Sequence, residues 1–318
     1  MNYPFFSVII PLYNKERHIR RAVNSVLNQS VQSFEILIID DGSTDKGFEI
    51  VKQYTDERIR YYQQPNSGVS NARNNGINFA KYDLVAFLDA DDEWEKDFLM
   101  EISALIEKFP EAGAYVTAYK IVRINNKIQV PHFKHIPKDK RTILPNYFRS
   151  MIYGDPMITS SSICIRKDVF NKAGYFSVGE KLGEDKDMWA RIALLYKIAF
   201  SWYIGATYFE NADNRTCLKY IPNYERYFIK SLQNKLNNNE VPDYMIKDVS
   251  NYISRNLIML ASKNIKTGNP AFAIKILNDK RCNTYYFHKF FWKIIALIPF
   301  NILFFMMKKI KSVRDEIF

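Results

Sequence analysis

Residues 84–88, Leu-Val-Ala-Phe-Leu, run without a break into Asp89-Ala90-Asp91-Asp92. A continuous apolar run of this length suits a strand buried on both faces. An unpaired charge inside such a strand is costly, so the acids must stand where the chain leaves the core. The same join occurs earlier, where residues 34–39 lead into Asp40-Asp41-Gly42-Ser43, and a first apolar run at 6–11 ends in Pro11. Between these runs the spacing turns helical. Residues 16–29 place Ile19, Ala22, Val23, Val26 and Leu27 on one face, and residues 96–109 do the same with Phe98, Leu99, Ile102, Leu105 and Ile106. Turn and cap residues at 42–45 open a further helix to 54, a short strand is expected at 59–63 and a helix at 72–80. This alternation predicts the α/β class, with a mostly parallel sheet covered on both faces. Ligands of such sheets bind at the carboxyl ends of the strands, so the two acidic clusters are expected to share one site.

After residue 114 the pattern changes. Residues 115–130 suggest a hairpin turning at Asn125-Asn126, 159–166 a strand, and 184–195 a helix with an acidic start. Beyond 220 the chain reads as helical. The expected division is a first domain at 1–215 and a helical appendage at 216–318, which the 318 residues accommodate. Cys164, Cys217 and Cys282 are scattered and odd in number, which argues against a disulfide framework or a zinc site and favours a reducing cytoplasm. The opening Met1-Asn2-Tyr3-Pro4 lacks the basic start of a signal peptide. The net charge of +11 is concentrated in residues 120–149 and 281–318, leaving the rest close to neutral. Localised positive charge points to a localised anionic partner. No nucleic-acid-binding motif accompanies it, so nucleic acid is not expected.

Each acidic cluster has two readings. Asp89-Ala90-Asp91 can hold a hard Mg²⁺ or Mn²⁺ against a diphosphate, or Asp91, Asp92 and Glu93 can favour the positive end of a following helix. In Asp40-Asp41-Gly42-Ser43 a carboxylate can accept from a nucleobase N–H, or the segment can be a turn with an N-cap. Arg73, alone in an uncharged stretch, can face phosphate or solvent. Glu184, Asp185 and Asp187 can supply a general base or simply charge the first turn of a helix. None of His18, His132, His135 and His288 falls in a strand-end cluster, which favours a carboxylate base.

Five segments in order then resemble one family: residues 7–14 (SVIIPLYN), 39–45 (IDDGSTD), 66–74 (NSGVSNARN), 88–92 (LDADD) and 183–189 (GEDKDMW). They are similar to family 2 glycosyltransferases over roughly residues 5–215. The resemblance implies the glycosyltransferase A-type fold and an inverting, metal-dependent hexosyltransferase. It implies that Pro11, Tyr13 and Asp41 line a nucleoside pocket and that Arg73 lies near the diphosphate. Asp89 would approach the ribose and the metal shell, Asp91 would ligate Mn²⁺ or Mg²⁺, and Asp185 would be the base. Many members carry a His near residues 208–211, where this chain offers only Glu210 or Asn211.

Residues 287–311 are apolar but interrupted by Lys293, Pro299 and Asn301, with Lys308, Lys309 and Lys311 at the end. That pattern suits a segment lying in a membrane interface, or else a core helix. The reading that unites these features is a peripheral enzyme on the cytoplasmic face of a bacterial inner membrane. It would use a UDP-sugar donor and an undecaprenyl-diphosphate-linked sugar acceptor in O-antigen or capsule synthesis. A sugar-nucleotide pyrophosphorylase would need a Gly-rich loop where 11–16 has none. The remaining rival is a catalytically inactive nucleotide-sugar-binding or scaffold protein.

Overall fold

The computed structural model describes residues 3–213 and 221–305. The chain forms two compact units, residues 1–216 and 217–318. In the first, the apolar runs become β1 (Phe6–Leu12), β2 (Phe34–Asp40) and β4 (Leu84–Phe87), every residue of them buried. The helical stretches become α1 (Ile19–Leu27), α2 (Gly47–Val51), α3 (Val69–Phe79) and α4 (Phe98–Lys108). β3 (Ile59–Gln63) and β5 (Glu93–Trp94) complete the first half. The second half adds β6 (Ala114–Val122), β7 (Ile128–Gln129), β8 (Arg141–Ile143), α5 (Tyr147–Tyr153), β9 (Ile163–Arg166), α6 (Val169–Ala173), α7 (Glu184–Leu195) and β10 (Ile198–Phe209).

One ten-stranded sheet runs β3-β2-β1-β4-β9-β6-β10-β5, with β7 on β6 and β8 on β10. The expected parallel pairing holds in β3-β2-β1-β4 and between β6 and β10. β9, β5, β7 and β8 pair antiparallel, so the sheet is mixed rather than mostly parallel. An apolar run signals burial but carries no direction; the route of the preceding connection sets that. The anticipated hairpin at 115–130 forms, with Asn126 at φ 61 in its turn. The anticipated strand at 159–166 is shorter. Residues Ser160–Ser162 form a 3-10 turn, closed by the Thr159 amide donating to Ser162 Oγ at 3.1 Å.

What positions the site is the parallel block. Leu12 pairs with Asp40 and Ile9 with Phe87, so β1, β2 and β4 all deliver their carboxyl ends to one sheet edge. α3 lies against β1 closely enough that a Cβ on Gly76 would stand 2.5 Å from Ile9 Cγ2.

In the second unit α8 (Tyr227–Asn237), α10 (Pro270–Leu277) and α11 (Tyr286–Ala296) pack on the long α9 (Asp243–Lys266). α9 buries Val249, Tyr252, Ile253, Leu257, Leu260 and Ala261 along its length. Arg281 ties this unit together through Glu225 and Asp279, both at 2.7 Å. α11 and the helical turn at 300–305 leave much of their apolar surface outside: Phe287 is 84% exposed and Phe305 69%. The last part of the expected interfacial segment, 306–311, lies outside the described residues, as do Cys217 and the expected boundary at 215–216. No helix among the described residues is long and apolar enough to cross a membrane.

Gly76→Ala should lower the unfolding free energy by about 1–3 kcal/mol, because overpacking against Ile9 outweighs the gain in helix propensity. In an Ile9→Ala background the same change should be neutral or stabilising. Equal losses in both backgrounds, read from denaturant melts, would locate the strain elsewhere.

Candidate active site

The acidic run leaves β4 and turns back at once. Leu88 N–H still bonds Ile9 C=O at 3.0 Å, and Asp92 N–H closes a turn on Asp89 C=O at 2.9 Å. The helix-capping reading of Asp91, Asp92 and Glu93 does not hold, because Glu93 opens β5 and that strand separates Asp91 and Asp92 from α4. Each carboxylate instead has its own partner. Asp92 is buried, accepting from Ser161 Oγ at 2.5 Å and from the Phe209 amide at 3.1 Å. Burial, then Asp91 and Asp89, push its pKa well above the ordinary carboxylate range. Asp92 therefore joins β4, the turn before β9 and the end of β10, and is a structural tie.

Asp89 accepts from Arg73 Nη2 at 2.8 Å. Arg73 Nη1 reaches Glu184 Oε1 at 3.0 Å, the first residue of α7. Arg73, expected near the diphosphate, is 3% exposed, lies 5.4 Å over the Phe176 ring, and gives each terminal nitrogen a carboxylate partner. Burial alone would lower the Arg73 pKa, but Asp89 and Glu184 outweigh it and keep the guanidinium charged. Burial, then Asp185, push Glu184 up to about 7, against the pull of Arg73. This bridge sets the acidic run beside the start of α7, where Asp185 is half-buried and accepts from the Lys186 amide at 2.7 Å.

Asp91 Oδ2 carries the Lys15 ammonium at 2.6 Å, and its main-chain carbonyl accepts from Arg21, whose guanidinium lies 3.5 Å over the Phe209 ring. Lys15 also donates to Asp213 C=O at 2.5 Å. A cleft of about 420 Å³ opens beside it, lined by Asn14, Lys15, His18, Thr44, Asp45 and Asp213 among others. His18 Nε2 accepts from the Asp213 amide at 3.4 Å, and burial followed by Arg21 holds its imidazole below the usual 6.5. Lys15, Arg21 and Ser161 carry no signal in the sequence and His18 falls in no strand-end cluster, whereas Glu184 is one of the three carboxylates marked ahead of the helix.

The nucleoside side differs from expectation in detail. Pro11 is buried within β1 and Tyr13, at its end, is 47% exposed. Asp41 is 3% exposed and accepts from Gln64 Nε2 (2.7 Å), Ser67 N (2.8 Å) and Gly68 N (2.8 Å). It thus fixes the loop ahead of α3, and Tyr13 is the member of the trio that offers surface. Gly42 beside it has φ 72, and a Cβ there would meet Asn66 N at 2.9 Å.

Among the described residues no three His, Cys, Asp or Glu side chains form a ready cation cage. Mg²⁺ and Mn²⁺ suit a sparser site, in which one or two carboxylates act with water and a diphosphate. Asp91 and Asp89 fit that role chemically. Glu210 pairs with Arg123 at 2.5 Å and Asn211 Nδ2 bonds Asn126 Oδ1 at 3.1 Å.

Residues 7–174, more than half of the chain, match the model of the family described as Glycosyl transferase family 2. Glycosyltransferase GlyA of Streptococcus pneumoniae is 36% identical over 135 residues, 42% of this chain and 19% of that protein. TuaG of Bacillus subtilis, named for teichuronic acid biosynthesis, is 48% identical over 99 residues, 30% of this chain and 39% of that one. The chain thus spans well under half the length of these relatives. The crystal structure of S. aureus TarS 1–349 in complex with UDP-GlcNAc is similar with a TM-score of 0.71 and 22% identity, covering 86% of this chain and 79% of that one. At that identity the likeness speaks for the fold, and the glycosyltransferase A-type plan expected from the sequence is the one observed.

Because Glu184 binds its proton more tightly folded than unfolded, its contribution to stability is full below about 4.5 and is lost as pH rises through about 7. Denaturant melts across this range should show the wild type losing stability relative to Glu184→Gln. Parallel curves would mean that folding does not raise the Glu184 pKa.

Proposed function

Because the chain belongs to the family 2 glycosyltransferases, we propose that it transfers one sugar from a UDP-sugar to a hydroxyl of an undecaprenyl-diphosphate-linked saccharide, with inversion. The setting proposed is assembly of a surface polysaccharide, O-antigen or capsule. The observation that carries this reading is the Arg73 bridge, which brings the carboxylates after β4 and the start of α7 to one place. Asp89 and Asp91 would hold a divalent cation against the donor diphosphate, and the acceptor hydroxyl has its base at Asp185. The UDP-GlcNAc bound by TarS supports the donor class, and the naming of TuaG supports the polymer class.

In this mechanism Asp185 takes the proton of the acceptor hydroxyl, whose oxygen forms the new bond to the anomeric carbon. The bond to the donor diphosphate breaks on the opposite face. A divalent cation, when bound, supplies neutralisation of the departing diphosphate. Asp91 would hold it, with Asp89 oriented by Arg73.

The acceptor reading draws on the basic segment at 120–149, which the structure thins. Lys120 pairs with Glu95, Arg123 with Glu210, and Arg141 makes two bonds of 2.7 Å to the buried Glu101. Arg141 is therefore a structural cation. Lys134, Lys138 and Lys140 stay exposed on a loop anchored by buried Phe133 and Ile136, and these three are the candidates for a lipid diphosphate or an anionic surface. The exposed face of α11 (Tyr286, Phe287, Phe290, Phe291, Ile294) supports peripheral attachment to the inner face of the cell membrane.

Asp185→Asn should cut kcat by about 10²–10⁴-fold with UDP-sugar affinity nearly unchanged. Loss of donor binding with kcat preserved would remove Asp185 from the role of base. Replacing Phe287, Phe291 and Phe305 with Ser should reduce flotation with vesicles containing anionic phospholipid, and undiminished flotation would put the membrane contact elsewhere.

A further inference from the structure

Lys15 occupies a place that neither its turn nor the proposed chemistry requires. Asn14 stands just before it at φ 51, with its Oδ1 accepting from the Thr44 amide at 2.7 Å and the Asp45 amide at 3.3 Å. The loop is thereby fixed to the turn after β2. From this support the side chain reaches Asp91 at 2.6 Å and the Asp213 carbonyl at 2.5 Å, with only 13% of it exposed. Asp213 is gripped by the same loop, through Arg17 at 3.2 Å and His18 at 3.4 Å. The ammonium is thus a held group on a firm base rather than a surface lysine meeting a nearby acid.

We infer that Lys15 is a tethered counter-cation for Asp91, which a divalent cation must displace in order to bind there. It acts as a positioning and gating residue. The inference rests on the proposed role of Asp91. With Asp89 on Arg73 and Asp92 sealed in the core, Asp91 is the carboxylate of the run whose partner sits on a flexible alkyl chain beside an open cleft. One ammonium and one hard cation compete for the same oxygen. The apparent affinity for the free metal is lowered by the fraction of time that Lys15 is away. A metal arriving together with a diphosphate has further ligands and overcomes this more readily. Donor-free protein should therefore hold the cation weakly. Lys15 also keeps Asp91 neutralised between turnovers, beside the carboxylate of Asp89.

The test is Mn²⁺ binding to the donor-free full chain, followed by the electron paramagnetic resonance signal of unbound Mn²⁺. Lys15→Met should bind Mn²⁺ more tightly than the wild type, by about tenfold or more if Lys15 is displaced no more than about a tenth of the time. Lys15→Gln, which keeps a donor for the Asp213 carbonyl, should behave alike and covers the case that the Met variant misfolds. Adding Asp91→Asn should abolish the gain. Equal or weaker binding in both Lys15 variants, at a site that still needs Asp91, would overturn the tether and leave the metal reading standing. Binding that ignores Asp91, or no binding in any of the proteins, would overturn both.

Discussion

The site depends on how a sheet edge tolerates many carboxylates. Asp89, Asp91, Asp92, Glu184 and Asp185 converge where β4 ends and α7 begins, and like charges in a partly buried place cannot all stand ionised without partners. The chain answers in three ways. Arg73 is buried whole between Asp89 and Glu184. Asp92 is withdrawn into the core onto Ser161 and the Phe209 amide, where its proton is favoured. Asp91 receives Lys15.

Arg73 matters most, because its partners belong to different halves of the domain. Asp89 follows the parallel block and Glu184 opens the helix that carries the proposed base. A buried ion pair that loses one partner costs about 3–5 kcal/mol, so the distance between the two halves of the site is set by a contact the molecule cannot easily give up. Arg73 Nε finds no hydrogen-bond partner among the described residues, which fits a side chain placed for its two terminal nitrogens. The aromatic rings of Phe176 and Trp189 pack edge to face alongside it, 5.9 Å apart, and close the space behind the bridge.

A second consequence concerns what a ligand meets. Asp41 has three donors on it already and holds the 64–68 loop in shape. Asp92 serves β10, and Arg73 serves two acids. The motif residues thus divide into those that hold the fold together and those that keep surface toward solvent, Tyr13, Asp89, Asp91 and Asp185. The same division runs through the basic segment, where Arg141 braces buried Glu101 while Lys134, Lys138 and Lys140 stand free of the core.

Much of this was legible in the sequence. Apolar runs ending in acids at Asp40 and Asp89 fixed the strands, their burial and the edge where the acids gather, because strand burial and its limits are local properties of the chain. The helix at 184–195 was read to the residue for the same reason. Strand direction was not legible: β9 looks like any other buried strand, yet it runs antiparallel between β4 and β6. Nor was the pairing of charges. Carboxylates in a row told of a missing cation, but not that the chain supplies Lys15 from 76 residues away or joins Arg73 to a glutamate 111 residues on. Which charge meets which is settled by packing across the sheet edge, where the free energy of a pair depends on burial and distance, and neither quantity exists until the strands have found their neighbours.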